Sequence, residues 1–226
     1  MPTNQSKPGA EDVAQYLRAH PEFFEAHTDL LASITVPHSH GGRAISLQER
    51  QLDVLRERHR MLEMRMAELI RIGQENDAIT DKLQRWTRQL LLVDDASRLA
   101  QTLLDGMHTG FNVPHLALRL WSLREPYLDS PFAEPVALDI ITLTNSIRQP
   151  YCGPNADFQA AAWLPEGGTL TRSIALLPLR KGLDPNAFGL LVMGSPDPGR
   201  FQSGMGTAFL ERIAETASAA LSRLVT

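Results

Sequence analysis

The segments SIALLPL (residues 173–179) and AFGLLVMGS (residues 187–195) decide the fold class. They are short apolar runs separated by a turn that contains Gly182, Asp184 and Pro185, which is the pattern of an antiparallel hairpin. From residue 203 to residue 225, Phe209, Ile213, Ala217, Ala220 and Leu224 recur at a 3.6-residue period and supply the stripe with which a helix covers that hairpin. A sheet with a helix on one face is an α+β arrangement.

Working outward, HLALRLWSL (residues 115–123) sets Leu116, Leu118 and Leu120 against Ala117, Arg119 and Trp121, a strand covered on one face. The proline-rich EPYLDSPFAEP (residues 125–135) reads as a loop, and residues 136–149 carry a weak helical stripe of Ile140, Ile141, Leu143 and Ile147. PYCGPN (residues 150–155) reads as a turn. Residues 157–164 fit no one element.

Between Pro37 and Pro114 there is no proline, so one long helix or two nearly continuous ones can run from about residue 47 to about residue 108, roughly 90 Å at ~1.5 Å per residue. Ser46 and Glu49 form a capping box at its start. Leu52, Leu55, His59, Leu62, Met66 and Leu69 step by three and four; Ile72, Asn76, Ile79, Leu83, Trp86, Leu90 and Val93 continue the alternation. Met66, Leu69 and Ile72 make two successive steps of three, a stammer that overwinds a coiled coil, with Gly73 beside it. Two readings stand: a helix that packs on its own domain, and a parallel homodimeric stalk in which Asn76 at a core position fixes the register. Farther on, Ala96, Leu99, Ala100, Leu103, Leu104 and Met107 form a broader stripe suited to a sheet, so stalk and following helix read as one rod.

The first ten residues, polar and holding Pro2, Pro8 and Gly9, read as a disordered lead-in. Val13, Tyr16 and Leu17 then share a helical face, Pro21 opens a second short helix with Phe23 and Phe24, and Leu30, Leu31 and Ile34 follow. Two short helices cannot hide these side chains without a partner surface. The predicted organisation is a lead-in at 1–10, an N-terminal helical region at 11–44, a coiled-coil stalk at 45–93 and a sheet domain at 94–226.

Composition narrows the function. A length of 226 residues with 43% hydrophobic and 21% charged content fits a globular chain with one ordinary core and an accessory segment. A net charge of −4 gives no surplus of Lys and Arg for a phosphate backbone, and Glu49, Asp53, Glu57 and Glu63 interrupt the basic run of Arg56, Arg58 and Arg60. Nucleic acid is therefore not expected as a partner. Cys152 is the single cysteine and excludes an internal disulfide. No apolar run approaches ~20 residues and the N-terminus has no signal-peptide pattern, so the expected address is the cytoplasm, away from membranes.

VAQYLRAHPEFFEAHTDLLASITVPHSHGG, SLQERQLDVLRER, the YCGP turn, SIALLPL and GLLVMGSPDPGRF together resemble the uncharacterised bacterial family known as domain of unknown function 484. The resemblance runs from about Val13 to the C-terminus. It implies a GAF-like C-terminal domain behind a helical N-terminal region, of the kind sometimes labelled phytochrome-like, with no established activity. The order strand, turn, strand, closing helix is how a GAF-type small-molecule sensor ends. Bilin-bearing GAF domains place a histidine directly after the attaching cysteine; Gly153 follows Cys152 here, so a covalent bilin is not expected.

Site candidates follow from the strands. Arg119 and Trp121 face one side, Arg172 and Ser173 open the next strand, and with Tyr151, Cys152 and Phe158 they form the expected wall of a ligand pocket under the covering loops. Arginine suits a carboxylate or phosphate, and aromatic rings suit a planar base. His38, His40 and His27, with Glu25, Asp29 and Glu49 near them, read as turn residues and no metal site is expected. The sequence lacks H-E-x-x-H, G-x-x-x-x-G-K-[ST], G-x-S-x-G and G-x-G-x-x-G followed by an acid, so no enzymatic chemistry is expected. Two functions remain open: a homodimeric sensor that signals through its coiled coil to an unidentified output protein, with the nature of its small-molecule ligand or cofactor unknown, and a ligand-free adaptor that docks through the Phe23 and Phe24 region.

Overall fold

A computed structural model describes residues 9–37, 44–202 and 207–226. Two compact units divide the chain, Met1–Gln74 and Glu75–Thr226. His38 and His40 lie outside the described residues, as do most of the lead-in and the side chain of Ser46 that the expected capping box requires.

In the N-terminal unit, helices α1 (Ala10–Ala19), α2 (Phe23–Ala26) and α3 (Thr28–Ser33) precede a two-stranded ribbon of β1 (Thr35–Pro37) and β2 (Ala44–Ser46), paired antiparallel with Thr35 opposite Ser46. Glu11 and Asp12 in the first turn of α1 and Arg18 in its last complement the helix dipole, and the Gly9 amide donates to Asp12 Oδ2 at 3.0 Å. Pro21 and Glu22 form the turn before α2. Tyr16 stacks on His20 with ring centroids 4.4 Å apart, and Phe23 meets Tyr16, Phe24 and His27. Neither α1 nor α2 has a buried residue, so these rings cover one another and leave their outer faces to water.

Helix α4 (Leu47–Leu91) is 45 residues long and ends in the C-terminal unit. That unit continues with α5 (Leu99–Phe111), β3 (His115–Leu120), α6 (Leu138–Ser146), β4 (Tyr151–Pro154), β5 (Ser173–Arg180), β6 (Ala187–Ser195) and α7 (Ala208–Leu221). The sheet order is β3-β6-β5-β4, antiparallel throughout. YCGP, read from its Gly and Pro as a turn, is therefore an edge strand. Pro154 stands at its last position, where an edge tolerates a residue without an N–H.

Alternation along the strands sorts the core into two layers. Leu118, Leu120, Cys152, Ala175, Leu177, Leu179, Leu191 and Met193 join the layer covered by α5, α7 and the end of α4. Ala117, Ile174, Leu176, Leu190 and Val192 face Ile140 of α6 and Ala160, Ala161 and Leu164 of the covering loops. On α7 the buried stripe is Leu210, Ile213, Ala214, Ala217, Ser218 and Leu221, with Phe209 and Ala220 only half-buried at its flank.

The expected single rod is broken. Helix α4 stops at Leu91, and Asp95 caps a new turn by accepting from the Ser97 amide at 3.0 Å. Trp86 Nε1 donates to the Leu103 carbonyl at 3.3 Å across a buried contact, and the Trp86 ring lies edge-on to Phe111. In a continuous helix residues 86 and 103 would stand about 25 Å apart. The chain instead folds back after Leu91 and α5 lies beside the end of α4. Leu83, Trp86 and Leu90, expected in an intermolecular seam, are taken up by their own domain.

Candidate functional site

Arg119, Trp121, Tyr151 and Phe158 come together on the loop-covered face of the sheet, and Cys152, Arg172 and Ser173 do not join them. Trp121 Nε1 donates to the Ala187 carbonyl at 2.6 Å, and the Tyr151 and Phe158 rings meet edge to face at 5.0 Å. Arg119 sits on β3 in phase with Ala117. Its Nη1 donates to the carbonyls of Leu118 at 3.3 Å and Pro131 at 3.1 Å, its Nη2 pairs with Glu134, and its guanidinium lies 5.8 Å from the centre of the Trp163 ring. The donors of Arg119 are thus directed to the protein itself. The same layer holds the buried side chains of Ile140, Ala160, Ala161 and Leu164, and a hollow of about 260 Å³ opens beside Phe158, lined by Asp139, Ile140, Leu143 and Ala160.

Cys152 points through the sheet into the opposite layer, where burial raises its thiol pKa above the usual value. Ser173 is fully buried and donates from Oγ to the Asp197 carbonyl at 2.6 Å, closing the turn after β6. Arg172 is exposed and, among the described residues, held only through its backbone, whose amide donates to the Ser195 carbonyl at 2.8 Å and whose carbonyl accepts from the Asn155 amide at 2.9 Å.

A second place was not singled out in the sequence. A groove of about 580 Å³ runs between the edge of β5 and one flank of α7, lined by Arg148, Arg180 and Lys181 on the strand side and Glu211, Glu215 and Ser218 on the helix. The signals for it were present: a proline inside the apolar strand run, an Arg-Lys pair at its end, and polar residues at 211, 215, 218 and 222 on a single helical face. Among the described residues no cluster of His, Cys, Asp and Glu could hold a metal ion. No helix among them is long and apolar enough to cross a membrane.

Residues 4–226 match the family described as "Protein of unknown function, DUF484", and the chain belongs to that family. "Uncharacterized protein YigA" of Salmonella typhimurium (strain LT2) is 27% identical over 219 residues, covering 89% of this chain and 86% of that protein. Among solved structures, the GAF domain of a phosphoenolpyruvate-protein phosphotransferase from Coxiella burnetii aligns with a TM-score of 0.49 at 12% identity, over 64% of this chain and 93% of that one. The GAF domain from the Acinetobacter phosphoenolpyruvate-protein phosphotransferase aligns with a TM-score of 0.48 at 15% identity, over 64% and 92%. Free methionine-R-sulfoxide reductase from Neisseria meningitidis, solved with its substrate, aligns with a TM-score of 0.44 at 14% identity, over 64% and 88%.

Proposed function

We propose that this protein is a non-enzymatic regulatory scaffold: a parallel homodimer joined along α4, with a GAF-like C-terminal domain and N-terminal helices that dock an output protein. One observation carries the reading. Leu55, Leu62 and Leu69, seven residues apart on α4, are 62%, 61% and 69% exposed. Leu52, Met66 and Ile72 beside them are exposed as well. Burying one leucine fully is worth about 1.5–3 kcal/mol, so a second copy laid along this seam supplies a large driving force.

The seam available to a partner copy is shorter than its sequence pattern. Its last part, from Leu83 to Leu90, belongs to the domain core, which leaves Leu52 to about Asn76 for the dimer. The charged flanks carry their own pairs, Arg56 with Asp53 at 3.5 Å and Arg71 with Glu68 at 2.7 Å, which keep the helix surface wet outside the seam.

A scaffold rather than a sensor is supported at the loop-covered face by Arg119, whose guanidinium is taken up by the carbonyls of Leu118 and Pro131 and by Glu134 of its own chain. The ring cluster of exposed Tyr16 with half-buried Phe23 and Phe24 supports a docking role for the N-terminal helices. Sedimentation velocity at tens of micromolar tests the reading. It gives a dimer for the native chain and a monomer for Leu62→Glu with Leu69→Glu; a native monomer removes the proposal.

A further inference from the structure

The groove beside β5 exists because the ladder stops there. Tyr151, the first residue of β4, pairs with Leu176; continued, that register would set Pro150 against Leu177 and Gln149 against Pro178. Neither proline has an N–H to continue the pairing. The chain parts from the strand edge, and α7 forms the far wall. The Arg180 amide, which would otherwise face this gap unpaired, donates to Ser218 Oγ on α7 at 3.1 Å.

The two walls carry opposite charge. On the strand side, Arg180 is fixed: its Nη2 donates to the carbonyls of Thr144 at 3.1 Å, Asn145 at 3.3 Å and Ile147 at 2.8 Å, and its Nε to Pro185 at 3.2 Å. Burial, and after it the charge of Arg148, lower its pKa from the usual value. Arg148 and Lys181 are exposed, and their side chains make no hydrogen bond or ion pair among the described residues. On the helix side, Glu211 accepts from Thr207 Oγ1 at 2.8 Å, and Glu215 has no partner among the described residues. Cations and carboxylates thus line one groove without pairing across it.

A plain anion entering this space meets the two glutamates, and a plain cation meets the arginines and the lysine. A molecule that carries both charges meets a partner on each wall. At about 580 Å³ the groove has the size of a small-molecule site. We propose that it binds a free α-amino acid, with the carboxylate held by Arg148 and Lys181 and the ammonium by Glu211 and Glu215. The side chain of such a ligand lies over the apolar patch of Pro150, Pro178, Leu183 and Ala214. This site is separate from the dimer seam and does not depend on it.

Isothermal titration of the full chain with each of the twenty amino acids is the test, run beside the N-acetyl and amide derivatives of the tightest binder and beside inorganic phosphate. At least one amino acid binds in the micromolar to millimolar range. Blocking either its amine or its carboxylate weakens binding at least tenfold, as does Arg148→Gln or Glu215→Gln, while sedimentation of both variants is unchanged. Both side chains are exposed and unpaired, so the variants keep the native melting temperature. Phosphate or the N-acetyl derivative binding as well as the parent overturns the proposal in favour of an anion site. Absence of heat with every amino acid, or unaltered binding in both variants, overturns it outright.

Discussion

The indole of Trp86 on α4 occupies the place a side chain on Gly106 of α5 would need: a Cβ there would stand 2.4 Å from Trp86 Cδ1 and 2.8 Å from its Nε1. The close approach lets the end of α4 lie on α5, and it ties the long helix to the domain that follows it.

Gly106→Ala therefore lowers stability, although alanine in a helix interior normally gains about 1 kcal/mol over glycine. Overpacking costs about 1–3 kcal/mol and wins here. Gly73→Ala is the matched control, since nothing lies within 4 Å of the new methyl, and it stabilises the helix by about 1 kcal/mol. Thermal melts followed by circular dichroism give opposite signs for the two variants. Hydrogen exchange around residues 70–76 slows in Gly73→Ala; if exchange there already matches the rest of α4, Gly73 is no soft joint.

Trp86→Ala removes a side chain that is 2% exposed together with its hydrogen bond to Leu103. The loss is about 3–5 kcal/mol in the C-terminal domain. Because Trp86 belongs to the domain core and not to the intermolecular seam, the variant still sediments as a dimer wherever it is folded. A folded monomer would return Trp86 to the seam.

Much of the C-terminal domain was legible in the sequence because its strands are written without ambiguity. Residues 173–179 and 187–195 are continuous apolar runs of strand length on either side of a turn, and both became strands buried on both faces. YCGP was misread because its composition is that of a turn, while the pairing that makes it a strand comes from Ser173 to Leu176, twenty residues away. The break at Leu91 escaped notice because Leu91, Leu92 and Val93 keep the apolar pattern running, and only the cap at Asp95 marks the new turn. Of the candidate site, the common facing of Arg119 and Trp121 followed from strand alternation. The groove between β5 and α7 did not, since it joins residues 148–150, 178–183 and 211–222 through tertiary packing alone.

Asn76 stands seven residues after Leu69 and is exposed in the single chain. Within the proposed dimer it faces its own counterpart, where a buried Asn pair trades stability for register. Asn76→Leu raises the melting temperature and broadens the distribution of oligomers seen by native mass spectrometry. If neither quantity changes, Asn76 lies outside the seam.

Burial disfavours the Cys152 thiolate, so its folded pKa lies above the usual thiol value. A folded value raised above the unfolded one gives a contribution fully present below the unfolded pKa and lost as pH rises through the folded pKa. Stability thus declines on the alkaline side, above about pH 8.5, and Cys152→Ala flattens that decline in urea melts at pH 8 and pH 10. Iodoacetamide labels Cys152 slowly in the native protein and quickly in denaturant. No visible absorption band follows the protein through denaturation, since no histidine adjoins the cysteine.

The most direct measurement is disulfide trapping along α4. In a Cys152→Ser background, Leu62→Cys and Leu69→Cys each place two thiols at a parallel, in-register seam, at the Cα separation of about 5.5–6 Å that a disulfide prefers. Mild oxidation converts most of the native-state protein to a covalent dimer at these two positions, while Glu57→Cys on the charged flank stays monomeric on the same gel. Equal cross-linking at all three positions, or none at Leu62 and Leu69, contradicts a parallel dimer along α4.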